Sequence, residues 1–360
     1  MLRKLLSVLL ALCLCFFVSS TVLAAGVGMS DQSITADDQA KIIDALRYIE
    51  EDKENFDLGD VNFESIEVGE SIYAYEYTDM GFDKIGEVCP LIADGQLIAT
   101  AIRVGDNGYS IETSLAQAIN KTDCKNIALV YDCDSCYLYD GLDFTLLGQS
   151  GIMVSERALL DRTKAAYYSN GLIAQNISNS VLLGYSSPSS ALQLNTQTYF
   201  SCNVSYVIQL PFSNICWAAT TATILNYLNG TSTTAAGINM EYFDSSAVVD
   251  EGVSPSSVKS FMQNNYNLSY TYNNYVPSAS AILTNIVDGY PIYGSFHFTS
   301  NGGGYHACTI YGNNPISGYI SVMDPQFGST SAVSTGSSYS YVSAYAFNTL
   351  TLARAICHTW

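Results

Sequence analysis

Apolar and polar positions along this chain change period several times. Between residues 36 and 53 they repeat every three or four residues, which puts Ile42, Ala45, Leu46 and Ile49 on one face. That spacing predicts a helix over 36–53 with Thr35 as its cap. Over 66–77 the period falls to two, and Tyr73, Tyr75 and Tyr77 share one side of a strand. Segments 89–93 and 96–104 flank Asp94-Gly95, a two-residue hairpin turn. Segments 127–131 and 137–139 read as further strands.

The helical period returns after a polar, nearly uncharged stretch at 169–198. Ala218, Ala222, Leu225 and Leu228 are spaced for a helix beginning at Cys216, and most of its other positions are Ala and Thr. Threonine is a poor helix former, so packing has to hold this helix, with Ser213 or Asn214 as its expected N-cap. A polar loop is expected next. Pro255 then fits the first position of a helix capped by Ser254, with Val258, Phe261 and Met262 on one face. A helix over 279–288 closes on Gly289, with Pro291 just beyond. Strands follow at 292–298, 306–311 and 319–323. Each half thus runs from helix to antiparallel strand, which makes the fold class α+β.

Composition divides the chain. Its 360 residues leave room for two domains. Residues 195–360 hold only Lys259 and Arg354 against six carboxylates, and the other 27 acidic residues come earlier. Residues 1–25 have the form of a secretory signal peptide: Arg3 and Lys4, an apolar run, then small residues before a cleavage site. That run is short for a membrane span and no later one matches it, so a secreted, extracellular protein without a membrane span is expected. The expected organisation is a first domain over 26–165, a linker with a processing site over 166–198, and a second domain over 199–360. The net charge of −19 argues against nucleic acid and anionic membrane as partners.

Eight cysteines remain once the signal is removed. In an exported protein they are candidates for disulfides, and Cys202 with Cys357 is one open pairing. Cys133 and Cys136 form a C-x-x-C, but Cys89 and Cys124 are wrongly spaced to complete a zinc knuckle with them. A disulfide or exposed loop thiols fit that motif better. The first domain has no histidine and no catalytic constellation.

The second domain has one. Cys216 opens a helix, whose N-terminal partial charge favours thiolate. A buried, inert helix cysteine is the alternative for this residue alone. Gln209, seven residues upstream, can supply an amide N–H to an oxyanion hole together with the backbone N–H of Cys216. His306 opens one strand and Asp324 closes the next. A hairpin folded about residue 315 sets these two opposite each other on one face, the arrangement of a base and its orienting carboxylate. A one-residue slip would separate them. His297 and His358 have no acid at hairpin spacing, and Cys308 reads as a core thiol.

Gln209, Cys216-Trp217-Ala218, His306-Ala307 and Asp324-Pro325, in this order, resemble papain-like cysteine peptidases of the secreted bacterial type, such as staphopains and bacteriocin-processing peptidases. The third position is usually Asn in papain and staphopain. Asp occurs there in the bacteriocin-processing peptidases, and Phe327 stands where Trp usually shields the site. The resemblance implies a papain-like catalytic domain, a central helix packed on an antiparallel sheet, behind a small α+β prodomain that inhibits it. It implies a zymogen whose peptide or protein substrates are cut by Cys216, His306, Asp324 and Gln209, with no metal or organic cofactor. Transglutaminases and peptidoglycan amidases use similar groups, and a secreted binding protein on the same scaffold is the non-enzymatic alternative.

Overall fold

The computed structural model describes residues 34–78, 81–104, 108–132, 135–149, 172–177, 180–184, 199–299, 304–326, 328–343 and 347–358. The expected signal peptide, Cys133, Gly302, Gly303 and Phe327 lie outside the described residues, as does most of the expected linker. The described residues from Asp38 onward form one compact unit.

The first part opens with helix α1 (Ala36–Glu51), which buries Ile42, Ala45, Leu46 and Ile49, the face its periodicity selects. Strands β1 (Glu67–Gly69), β2 (Ile72–Thr78), β3 (Gly81–Ala93), β4 (Gln96–Val104) and β5 (Gly108–Glu112) follow. β3 and β4 form the hairpin expected at Asp94-Gly95, whose φ values of 51° and 75° suit a tight turn. Helix α2 (Ser114–Asn120) leads to β6 (Asn126–Asp132), β7 (Ser135–Tyr139) and β8 (Phe144–Gln149). Tyr73, Tyr75 and Tyr77 meet in one cluster, as their alternation requires. Within the stretch expected as linker, β9 (Gln175–Asn176) pairs with β6 and β10 (Ser180–Leu182) pairs with β1.

The second part begins with β11 (Phe200–Ser201) and four helices: α3 (Cys216–Asn229), α4 (Ala235–Phe243), α5 (Pro255–Tyr266) and α6 (Ala279–Val287). α4 occupies the expected polar loop. Thr234 caps it by accepting the Gly237 N–H at 3.0 Å, a cap signal that the short apolar pattern behind it left unsupported. α5 starts on Pro255 with Ser254 accepting from Ser257, and buries Val258, Phe261 and Met262 as expected. Its sheet contains β12 (Tyr270–Asn273), β13 (Ile292–Phe298), β14 (Tyr305–Asn314), β15 (Tyr319–Asp324), β16 (Ser329–Ser334), β17 (Ser340–Ser343) and β18 (Asn348–His358). Every ladder among these strands is antiparallel.

α3 is held by packing, as its composition demands. Trp217, Ala218, Ala222 and Leu225 share a core with Ile238, Val258, Met262, Ala307 and Ile356. Its threonines are accommodated inside the helix. Thr221 Oγ1 donates to Trp217 O at 2.7 Å and Thr223 Oγ1 to Ala219 O at 3.0 Å. The opposite side of the sheet packs Phe296, Ile310, Val322, Tyr341 and Leu352 against Ile282 and Ile286 of α6. The two parts share one sheet, because β5 pairs with β16 through Ala332–Ile111 and Ser331–Glu112.

Candidate active site

The β14–β15 hairpin is longer than expected, with its turn at 315–318 rather than 312–318. Near the turn Asn314 faces Tyr319 and Gly312 faces Ser321, while farther out Ile310 faces Val322 and Thr309 faces Met323. The register shifts by one at Tyr311, which is therefore a bulge. The expected direct pairing of His306 with Asp324 is corrected accordingly. Continued outward, the outer register sets Asp324 opposite Cys308, and His306 is its diagonal neighbour on the same face. The bulge makes this possible. Without it, the inner register would carry Asp324 to the opposite face from His306. A Cβ on Gly312 would stand 2.7 Å from Tyr199 Oη and 2.8 Å from Ser321 Oγ, so the backbone beside the bulge needs a glycine.

His306 Nε2 lies 2.7 Å from Asp324 Oδ1, both residues buried. The Gln326 N–H donates to the same oxygen at 2.9 Å, and the Tyr341 hydroxyl donates to Oδ2 at 2.8 Å. Cys308 Sγ is 3.2 Å from the Tyr341 hydroxyl. With Nε2 engaged by Asp324, Nδ1 of His306 is the nitrogen left for Cys216, whose thiolate form the imidazole favours. The Phe298 ring lies 6.1 Å from that of His306 and gives it an apolar neighbour.

Cys216 is the first residue of α3 and is half-buried. The expected cap by Ser213 or Asn214 is not there. Ile215 is the N-cap and makes no side-chain cap bond. The Ser213 and Asn214 amides are instead held by Asp250 Oδ1 at 3.1 and 2.7 Å. The open helix end leaves first-turn N–H groups beside the sulfur. Burial disfavours the thiolate, but the His306 hydrogen bond and charge, with the Ala307 and Trp217 backbone N–H groups, outweigh it and lower the Cys216 pKa. Burial likewise opposes the imidazolium, yet Asp324's charge and the bonds to Asp324 and Cys216 raise His306 well above its ordinary value. Asp324 is held below the ordinary carboxylate range. There too burial is outweighed, by the charge and hydrogen bond of His306 and then by Gln326 and Tyr341.

Gln209 is buried, and its backbone N–H bonds to Pro325 O at 2.9 Å. Its Nε2 donates to Phe212 O at 3.3 Å and Ser213 O at 3.1 Å, on the loop that ends at Cys216. Gln209 Oε1 has no hydrogen-bond partner among the described residues.

His297 packs at a tilt against Tyr305 at 5.0 Å, and His358 stacks on Tyr290 at 3.6 Å. Neither belongs to the cluster. Cys202 and Cys357 are free buried thiols, pushed up by burial to about 12 and about 11. Cys136 is also a buried free thiol, not an exposed one, and is pushed up to about 12. Ligand atoms of His306, Cys308 and Asp324 lie within 4.8 Å of one another, a spacing a metal ion could use. They are already bonded to each other and to Tyr341, and burial pushes the Cys308 thiol up to about 11, which makes it a protonated, weak ligand.

Tyr341 is absent from the sequence-level site. It sits on β17, 17 residues beyond Asp324, and no local pattern marks its approach.

Residues 201–346 match the model of the Peptidase_C39 like family. That segment, which contains Gln209, Cys216, His306 and Asp324, is similar to cysteine peptidases, hydrolases that act on protein substrates. No curated protein matches the chain. Among the described residues no helix is long and apolar enough to cross a membrane.

Proposed function

We propose that residues 199–360 form an exported cysteine endopeptidase of papain-like mechanism. Residues 26–165 are a leader that keeps it inactive until the connecting segment is cut. One observation carries the catalytic reading. Cys216 stands at an uncapped helix start where the His306 imidazole favours its thiolate, and that imidazole is held 2.7 Å from Asp324 through Nε2. Such a pair is a thiolate with a poised proton donor.

The Cys216 thiolate attacks a peptide carbonyl carbon, forming the C–S bond while the carbonyl π electrons move to oxygen. The Cys216 N–H and one Gln209 N–H hold that oxyanion. One such donor is worth about 3–4 kcal/mol. If the Phe212 and Ser213 carbonyls share one Nε2 hydrogen, the other is left for this task. Collapse breaks the C–N bond as His306 gives its proton to the leaving amine. Water then loses a proton to His306 and attacks the thioester, which breaks the C–S bond and restores the thiolate. Asp324 orients the imidazole and stabilises its cation throughout.

Casein hydrolysis assayed beside amine incorporation tests the reaction class. Hydrolysis that disappears in Cys216→Ala is expected. Efficient amine incorporation without hydrolysis would assign the site to a transferase instead. For the leader, N-terminal sequencing of the secreted active form should find a start between residues 185 and 199. An active form that retains residues 26–165 uncut would remove the zymogen reading.

A further inference from the structure

We infer that the leader, after the connecting segment is cut, stays bound to the peptidase part as a structural subunit. This rests on the leader-and-enzyme reading above and concerns the fate of the cut leader.

Three separate contacts carry it. The first is the shared sheet. β16 has β15 on one side, where Asp324 faces Ser329, and β5 of the leader on the other. Removing the leader would bare the backbone edge of β16, one strand from the catalytic carboxylate.

The second is a buried polar socket at the end of α1. Asp52 accepts from Tyr311 Oη at 3.1 Å and from Ser321 Oγ at 3.0 Å, and Tyr48 Oη lies 2.6 Å from the same serine oxygen. Asn314 Nδ2 donates to Glu51 at 2.8 Å, and Tyr48 packs on Tyr199 and Tyr319. Tyr311 is the bulge residue that sets the His306–Asp324 register, so the leader grips the hairpin where its register is decided.

The third contact is apolar. Phe347 packs on Tyr131 at 5.3 Å and fills the space over Gly86, where a Cβ would meet its ring at 2.5 Å. Val342 is built into the leader's own core with Ile72, Val88 and Leu129.

Together these contacts read as the inside of one protein. Separation would leave buried hydroxyls without their carboxylate, apolar groups in water and an open strand edge. The contacts named here lie on the β14–β15 hairpin, on the β16 edge, at Val342 of β17 and at Phe347, and none of them involves Cys216.

The test uses the full chain as Cys216→Ala, with a recognition sequence for an unrelated protease placed between Gly184 and Tyr199. After complete cutting, gel filtration and native mass spectrometry should find both pieces as one 1:1 species that survives dilution. A folded, monomeric 199–360 fragment eluting alone would overturn the inference. Adding Asp52→Ala and Phe347→Ala to the cut protein should speed exchange against labelled leader by at least about tenfold, the equivalent of roughly 1.4 kcal/mol. Unchanged exchange would also count against it. Since the protein tested is inactive, the result does not depend on whether the peptidase reading holds.

Discussion

The Cys216 thiol is pulled both ways, by burial toward the neutral form and by His306 and two backbone N–H groups toward the thiolate. The second pull wins because the imidazolium is itself held by a carboxylate that accepts three donors. Peptidase activity should therefore fall on the acid side as the thiolate protonates, below the ordinary thiol range. On the basic side it should fall only above about 6.5, as His306 loses its proton at a raised pKa. His306→Ala should lower kcat/KM by about 10²–10⁴-fold, measured on a peptide substrate. Tyr341 adds a linkage. Asp324's depressed pKa contributes stability that is present above the unfolded value of about 3.9 and lost as pH falls through the folded one. Tyr341→Phe removes a lowering contact, so its acid-unfolding midpoint by circular dichroism should move to higher pH. Superposed curves would contradict the role given to that hydroxyl. Gln209, Cys216, His306 and Asp324 were legible because each stands at a helix start, a strand end or a fixed distance from one. Tyr341 was not, because its closeness to Asp324 depends on how a later strand enters the sheet.

At the scale of elements, the deciding feature is one extra residue in β14. The sequence supports a hairpin and places its two functional residues near the open end. It carries no mark of a bulge, because Tyr311 is an ordinary β-former and what holds it comes from distant elements, the Asp52 carboxylate at its hydroxyl and the Cys202 N–H at its carbonyl. The expected register was off by two at the outer pairs, an even number, so the shared face survived. Deleting Tyr311 would close the bulge and leave Ile310 opposite Val322, so His306 and Asp324 would keep their shared face. Inserting one residue between Ala307 and Cys308 slips His306 to the face away from Asp324 and should cost at least about 10²-fold in kcat/KM, even where circular dichroism shows the sheet retained. Tyr311→Phe keeps the residue count and should stay much closer to wild type. The helix start behaves similarly. The α3 apolar period was legible, but its cap was not, because Asp250 reaches across from a loop 36 residues away to hold the Asn214 amide. Asp250→Ala frees the Ser213 and Asn214 amides and should destabilise the protein by about 1 kcal/mol, measured by urea unfolding.

At the scale of the whole molecule, charge and composition pointed to two parts, and the local elements of each were largely readable. Their union was not. The β5–β16 ladder joins positions more than 200 residues apart, and the Asp52 socket closes over a separation of 259 residues. Such pairings depend on what each edge finds in space, which short-range periodicity does not encode. Heating the uncut protein should give one cooperative transition for tyrosine signals from both parts, because their cores and sheet are continuous. Two resolved transitions would show that the parts fold as separate bodies.

An ionised Cys216–His306 pair held by Asp324 would show in the rate of Cys216 alkylation by iodoacetamide against pH, followed by peptide mass spectrometry. Fast, thiolate-like labelling is expected well below the ordinary thiol pKa of about 8.5, and in His306→Ala a shift of the titration up toward that value. A Cys216 that titrates as an ordinary thiol, with or without His306, would contradict it.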